Sequence, residues 1–342
     1  MHKLPMLRRA IFWGLIGFLA MYLFACGNAH PASSPLASPP TGIPRPTCAS
    51  AHNPGCHIRL LVFSKTAAFR HASIADAIAA LRTLALSQGV AIDFTEDAAV
   101  FTDANLARYN AVVFLLTTGH ILDADQQAAF ERYIEHGGGY AGVHSATDTE
   151  YNWPWYGQLV GAYFDRVHGH SHIVQATLHV VDHTHPSTSM LPATWIRTDE
   201  WYNFATNPSN SVHVLLTIDE KTYVGGVMGA NHPIAWYHTF DGGRAWYTAM
   251  GHTSQSYQEP LFLAHLWGGI LYAAGDTGAG ASPTGIPFRP AVILSAAKDL
   301  RLCEMRSCAF KMKEKKWLHR PKDISFHTVS LSPGADPSLR SG

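Results

Sequence analysis

The sequence predicts an α/β fold with a mostly parallel central sheet to which further β strands are added. Short apolar runs alternate with amphipathic segments through residues 58–144, and this alternation is typical of parallel strands joined by right-handed crossovers. The run 111–116 is fully apolar, as expected of a strand buried on both faces of a parallel sheet. With 342 residues, 47% of them hydrophobic, the chain can bury one large core or two small ones.

The first half of the body supplies four predicted strands and two predicted helices. A helix over 73–88 carries apolar residues at helical spacing, and Gly89 follows as a stop signal. A second helix begins after the N-cap residue Asp123 and runs to His136. The strands are predicted over 58–63, 90–95, 111–116 and 140–144.

The second half is less regular and predicts strands that extend the sheet or form a small β layer beside it. Alternating polarity indicates two strands, and a further pair is joined by the turn Asp241-Gly242-Gly243. A helix over 260–274 closes the body. The four strands are predicted over 172–181, 212–218, 233–239 and 244–250.

The N-terminus has the pattern of a lipoprotein signal peptide over residues 1–26. Basic residues precede an apolar stretch over 11–24 that is too short to span a membrane comfortably. Residues 23–27 then resemble a bacterial lipobox with Cys26 as the lipidated residue. We therefore expect an exported protein tethered to the cell envelope by a lipid; the alternative is an uncleaved N-terminal anchor.

Composition divides the rest of the chain into three parts. Residues 27–57 are rich in Pro, Ser and Ala and predict a flexible linker. Residues 58–275 form the predicted globular domain, and 276–342 are expected to be a disordered tail. Cys48 and Cys56 lie close together in the exported region, where a disulfide between them would persist.

Charge and histidine content restrict the partners. The formal net charge is zero, so nothing favours a nucleic-acid partner. The 21 histidines are unusual, and most lie between His120 and His265. Because histidine titrates near neutrality and binds metals, this enrichment favours a polar or metal-containing site.

The segment 137–148 is the strongest functional signal. Its glycine run leads through a strand into a polar turn, and ligands of open α/β sheets bind where such strands end. His144, Ser145 and Asp148 are therefore candidates for acid–base or metal chemistry, the alternative being turn capping by Ser145 and Asp148. No Gly-x-Ser-x-Gly pattern or cysteine occupies the turn, so a Ser or Cys nucleophile has little support.

The loop after the first predicted strand lies at the same sheet edge and carries Arg70 and His71. Arg70 could bind a carboxylate or phosphate through two hydrogen bonds. His71 could act as an acid–base group or as a ligand. The alternative is a helix entry whose histidine makes only local hydrogen bonds.

Two later motifs add weaker candidates. In His168-Gly169-His170 the spacing of two would put both imidazoles on one face of an extended segment, suited to a metal such as zinc or to sugar hydroxyls. In the segment 199–204, carboxylates stand beside aromatic rings, a combination that proteins use to bind sugars. The alternative for Asp199 and Glu200 is an ordinary solvated acid pair.

Taken together, these segments resemble the ThuA-like family, named for trehalose utilisation proteins. The resemblance covers about residues 58–275 and implies a flavodoxin-like, class I glutamine amidotransferase-like three-layer sandwich without the amidotransferase cysteine. It also implies a role in sugar metabolism, on glycosides or oxidised (keto) disaccharides. The resembling segments are 69–74, 137–148, 159–164, 182–186, 199–202, 225–226, 232–236, 243–244 and 251–252.

The leading hypothesis is an exported, membrane-tethered enzyme acting on a carbohydrate or its keto derivative, with a divalent metal such as zinc as a plausible cofactor. The alternatives are a non-catalytic sugar-binding lipoprotein and a scaffold with a vestigial cleft. The candidate acid–base groups or ligands are His71, His144, Asp148, Glu200 and His252. The candidate substrate-binding residues are Arg70, Ser145, Asp199, Tyr202, His232 and Trp236.

Overall fold

A computed structural model describes residues 58–276. Several predictions lie outside the described residues: the signal peptide 1–26 with Cys26, the linker 27–57 with Cys48 and Cys56, and all but the first residue of the tail 276–342.

Five parallel strands form one half of a nine-stranded sheet. They are β1 (Arg59–Phe63), β2 (Ala91–Thr95), β3 (Ala111–Leu115), β4 (Gly139–Val143) and β9 (Gly243–Thr248). They pair in the order β2-β1-β3-β4-β9, and each pairing is parallel. The alternation of apolar runs and helices predicted four of these five strands to within one residue.

Four antiparallel strands continue the sheet beyond β9. They are β5 (Val174–Val180), β6 (Thr194–Asp199), β7 (His213–Ile218) and β8 (Pro233–Phe240), in the order β9-β8-β7-β5-β6. Since half of the eight strand pairings are antiparallel, the sheet is mixed, and the prediction of a mostly parallel sheet is wrong in this respect. Short hairpin connections, such as the turn between Phe240 and Gly243, permit this antiparallel half.

The helices begin and end where local sequence signals place them. They are α1 (Ile74–Gln88), α2 (Asp103–Leu106), α3 (Ala124–Glu135), α4 (Pro154–Val160) and α5 (Pro260–Ala273). Gly89 ends α1 with φ +68°, and Asp123 forms a capping box with Gln126 at the start of α3. Within residues 58–276, no helix combines the length and the apolar character needed to cross a membrane.

Strand β6 is missing from the predictions, and so are the short helices α2 and α4. The burial of β6 alternates along the strand, but two of the residues it buries are Arg197 and Asp199. Charged residues at buried positions hide the alternation of apolar and polar residues from which a strand is predicted. These two buried charges of β6 also support the candidate site.

Candidate metal centre

Four ligating side chains converge at one edge of the sheet. His71 lies in the turn before α1, His144 follows β4, Glu200 follows β6 and His252 follows β9. The four successive antiparallel pairings after β9 leave β6 running in the same direction as β4, so these strands end at the same edge. One ligand atom from each of the four residues lies within 4.8 Å of the others.

The tightest part of this cluster is a triangle of three atoms. His144 Nε2 lies 3.2 Å from His252 Nδ1 and 3.4 Å from Glu200 Oε2, and the latter two atoms lie 3.0 Å apart. Metal–ligand bonds of about 2.1 Å separate the ligand atoms of a tetrahedral ion by about 3.4 Å, and those of adjacent positions around an octahedral ion by about 3.0 Å. The separations within this triangle therefore match adjacent positions of a metal polyhedron, and the ligand atom of His71 lies within 4.8 Å of the three.

His144 is presented by a strained turn. Strand β4 ends at Val143, and His144 opens a 3₁₀ helix with a left-handed φ of +51°. The predicted strand through His144 is therefore one residue too long. Such a turn at the end of a strand exposes the nucleophile in α/β-hydrolase elbows, and here it presents an imidazole.

The tautomer of His144 is set by the neighbouring strand. Its Nδ1 lies 2.7 Å from the carbonyl oxygen of Ala249, just beyond β9. Because a carbonyl only accepts hydrogen bonds, Nδ1 carries a hydrogen, and the other ring nitrogen, Nε2, faces Glu200 and His252. Metal-binding histidines are oriented in this way, with the second ring nitrogen donating to a carbonyl or carboxylate.

Asp199 holds His252 in place. Its carboxylate is fully buried and accepts hydrogen bonds from the backbone N–H groups of Glu200, Gly251 and His252 at 2.8–3.1 Å. Arg197 lies 3.1 Å from the same carboxylate and balances its charge. Both Asp199 and Glu200 are buried, so the alternative that they form a solvated acid pair is wrong. Asp199 supports the cluster by holding the backbone of His252.

The pKa shifts of His71 and Glu200 favour their metal-binding forms, whereas that of His252 favours the protonated form. Burial, reinforced by His144 and His252, lowers the pKa of His71 to about 2, so its ring is neutral. Burial opposes ionisation of Glu200, but its hydrogen bonds and charge interactions with His144 and His252 outweigh this effect and lower its pKa below the ordinary value. Neutral imidazoles and ionised carboxylates are the forms that bind metals. Burial lowers the pKa of His252, but its hydrogen bond and charge interaction with Glu200 outweigh burial and raise it, so a metal would have to displace this proton.

The cluster opens to solvent on one side. His71 and His144 are buried, whereas the side chain of His252 is 19% exposed and that of the neighbouring His170 is 44% exposed. The ring of Tyr202, predicted to position substrate, lies 4.3 Å from that of His144 and forms a buried wall. An incoming ligand would therefore approach past His252 and His170.

The two candidate metal ligands of the His168-Gly169-His170 motif have different surroundings. Gly169 has φ +68°, so the segment is a turn and the alternation rule for extended chains does not apply. His168 faces away and pairs with Asp165. His170 Nδ1 lies 3.0 Å from Glu200 Oε1, next to the four clustered residues.

Three further predicted residues, Ser145, Asp148 and Arg70, differ in their surroundings. Ser145 Oγ lies 3.4 Å from His71 Nδ1. Asp148 is half-buried and accepts a hydrogen bond from the Tyr151 hydroxyl at 2.7 Å. Arg70, however, pairs with Glu96 at 2.6 Å on the exposed surface, so the structure does not direct it toward the cluster.

His232 and Trp236 are buried supports. His232 Nε2 donates to the carbonyl oxygen of Tyr202 at 2.9 Å, and the indole N–H of Trp236 donates to Val160 at 2.8 Å. Both side chains have no exposed surface and so cannot line an opening. Arg197 is a supporting residue that was not predicted, although a charged residue in a segment of alternating burial is the signal that could have marked it.

Comparisons with known proteins agree with this fold. The ThuA family model, described as trehalose utilisation, matches residues 59–273. A ThuA-like protein from Bacteroides uniformis ATCC 8492 has 24% identity and a TM-score of 0.55, and the match covers 69% of this chain and 95% of that one. A ThuA-like protein from Parabacteroides merdae ATCC 43184 has 20% identity and a TM-score of 0.53, with coverages of 64% and 90%. No curated protein matches the chain significantly.

Proposed function

This chain belongs to the ThuA (trehalose utilisation) family, and we propose that it is a metal-dependent enzyme acting on a sugar, glycoside or keto-sugar. The observation that carries the proposal is the convergence of His71, His144, Glu200 and His252, with one ligand atom of each within 4.8 Å of the others. Three imidazoles and one carboxylate suit zinc and other first-row divalent ions.

Different side chains of the protein would have different roles around the ion. A divalent metal bound there supplies a Lewis acid that polarises a carbonyl or activates water. The four cluster residues would hold the ion, and the substrate would enter from the open side of the cluster, past His252. Asp148 is a candidate proton donor, because burial, only partly offset by the Tyr151 hydrogen bond and nearby positive charge, raises its pKa above the ordinary value.

The surroundings of the cluster support a carbohydrate substrate. Phe69 is 64% exposed, and its ring centroid lies 4.8 Å from that of His71. An exposed aromatic ring beside polar groups is how proteins bind the C–H faces of sugars while hydrogen bonds take the hydroxyls. The proposed substrate class therefore rests on the family's description as trehalose utilisation and on this pairing of rings.

The first test is elemental analysis of the full chain, before and after chelation, together with binding of a disaccharide and its 3-keto form. We expect a stoichiometric divalent metal that is lost in His144→Ala. His168→Ala is the matched control, since His168 pairs with Asp165 outside the cluster, and it should retain the metal. Absence of metal, with sugar binding unchanged in His144→Ala, would instead support the non-catalytic sugar-binding alternative.

We also propose that the protein is exported and anchored by a lipid on Cys26. The support is the order of basic, apolar and lipobox-like segments within residues 1–26. Metabolic labelling with a radioactive fatty acid in a bacterial host tests this proposal. Label should enter the wild type and be absent from Cys26→Ser; equal labelling of both would contradict the proposal.

We propose that the mixed sheet lies in a flavodoxin-like three-layer sandwich. Helix α1 contacts α5, and α2 contacts α3, as expected if the two pairs of helices pack on opposite faces of the sheet. A crystal structure with all of these helices on one face of the sheet would overturn the assignment.

A further inference from the structure

His170 is held rigidly beside the cluster by its backbone. It forms an antiparallel bridge with Tyr202, and hydrogen bonds flank it on both sides: the N–H of Ser171 donates to Trp201, and the N–H of Asn203 donates to Gly169. The segment that carries His170 is therefore fixed to the loop that carries Glu200. Their side chains meet because these two pieces of backbone are joined.

The hydrogen on the His170 ring has a defined position. Its Nδ1 faces two acceptors, the carbonyl oxygen of Ser171 at 2.8 Å and Glu200 Oε1 at 3.0 Å. Because both groups only accept, Nδ1 is the donor. His170 thus engages one oxygen of the Glu200 carboxylate, whereas the other oxygen, Oε2, faces His144 and His252.

We propose that His170 is a positioning residue that occupies Glu200 Oε1 and so makes this carboxylate bind the metal through Oε2 alone. The inference rests on the proposed metal-dependent function. A carboxylate binding through one oxygen uses one coordination position instead of two. The cluster is open to solvent beside His252 and His170, so a carbonyl or hydroxyl oxygen of the substrate entering there would take the position left free.

Zinc affinity of the full chain, measured by competition with a chelator, tests this role. Hydrogen-bond partners of metal ligands contribute about 10–100-fold to metal affinity, and we expect His170→Ala to weaken zinc binding by this factor. His170→Asn should restore affinity close to that of the wild type, because its amide can donate from nearly the same place as Nδ1. His168→Ala, two residues away and similarly exposed, should bind zinc like the wild type.

Cobalt substitution provides a second readout, since its visible absorption reports coordination number. The spectrum of His170→Ala should differ from that of the wild type, and the spectrum of His170→Asn should not. A His170→Ala protein with wild-type affinity and spectrum overturns the inference. Failure of His170→Asn to restore binding also overturns it, because His170 would then be a ligand itself. If the wild type binds no metal, the proposed function fails instead.

Discussion

The Nδ1 atom of His144 lies 2.7 Å from the carbonyl oxygen of Ala249, so a hydrogen bond joins the ends of two adjacent parallel strands. This bond turns Nε2 toward Glu200 and His252 and removes the freedom of the ring to flip. The sheet itself therefore sets one corner of the candidate metal centre. A rigid scaffold of this kind lowers the cost of ordering ligands when a metal binds.

Metal binding should stabilise the folded protein. At a free zinc concentration 100 times the dissociation constant, linkage predicts about 2.7 kcal/mol of added stability. Thermal unfolding of the full chain with and without zinc measures this shift. The shift should disappear in His144→Ala and persist in His168→Ala; an equal shift in both variants would place the binding site elsewhere.

Asp199→Asn should destabilise the fold and weaken metal binding together. The substitution removes a buried charge that is paired with Arg197 and that anchors the backbone of His252. Breaking a buried pair by removing one partner costs about 3–5 kcal/mol. Urea unfolding and zinc competition measure the two effects.

Asp103→Asn is the matched control for that substitution. Asp103 pairs with Arg132 on the exposed surface, where ion pairs contribute about 0–1 kcal/mol. Similar losses of stability in Asp199→Asn and Asp103→Asn would contradict the supporting role assigned to Asp199.

Gly251→Ala should disturb the turn that carries His252. Gly251 has φ +111°, and an added Cβ would lie 2.7 Å from the Tyr257 hydroxyl. Backbone strain of this kind costs about 1–3 kcal/mol, before the steric clash is counted. We expect weaker zinc binding as well as lower stability.

Gly229→Ala is the control that distinguishes backbone strain from the steric contact expected in Gly251→Ala. Gly229 also has a positive φ, +80°, but an added Cβ would meet no atom within 4 Å. It should lose stability through strain while keeping zinc affinity. If Gly251→Ala binds zinc as tightly as Gly229→Ala, the turn does not position His252.

Stability should fall on acidification because buried histidines must take up protons. Burial lowers the pKa of His265 to about 3, against about 6.5 in the unfolded chain. Between these values the unfolded chain binds more protons, so the stability from this group is complete above about pH 6.5 and is lost as the pH falls toward 3. At pH 5 the loss from one such group is about 2 kcal/mol.

Urea unfolding at pH 7 and pH 5 checks this effect. His265→Gln should show a smaller loss between the two pH values than the wild type, because the group that takes up the proton is gone. His185, whose pKa burial lowers to about 4, would still contribute part of the acid sensitivity. An unchanged pH dependence in His265→Gln would contradict the assignment.

The three long helices, α1, α3 and α5, and the parallel strands could be predicted because their signals are local. Asp123 and Gln126 sit within one turn of each other, and Gly89 ends its helix through its own backbone conformation. The same local reasoning missed β6, because the charges of Arg197 and Asp199 are compensated by each other and by residues distant in sequence. Whether a charged residue can be buried depends on its interaction partners, and a pattern of apolar residues carries no information about those partners.

The candidate site could likewise be predicted only in part. The ends of the predicted strands placed His71 and His144 at one edge of the sheet, whereas His252 was only a candidate residue, because the sequence left open whether its strand joins that sheet. Only the tertiary structure showed that His71 and His170 lie at the cluster while Arg70 and His168 do not. The directions in which neighbouring side chains of a turn point depend on backbone angles such as that of Gly169. The tertiary structure also placed Trp236 in the core and Glu200 in the cluster, because packing between distant segments, not spacing along the chain, fixes where a side chain ends.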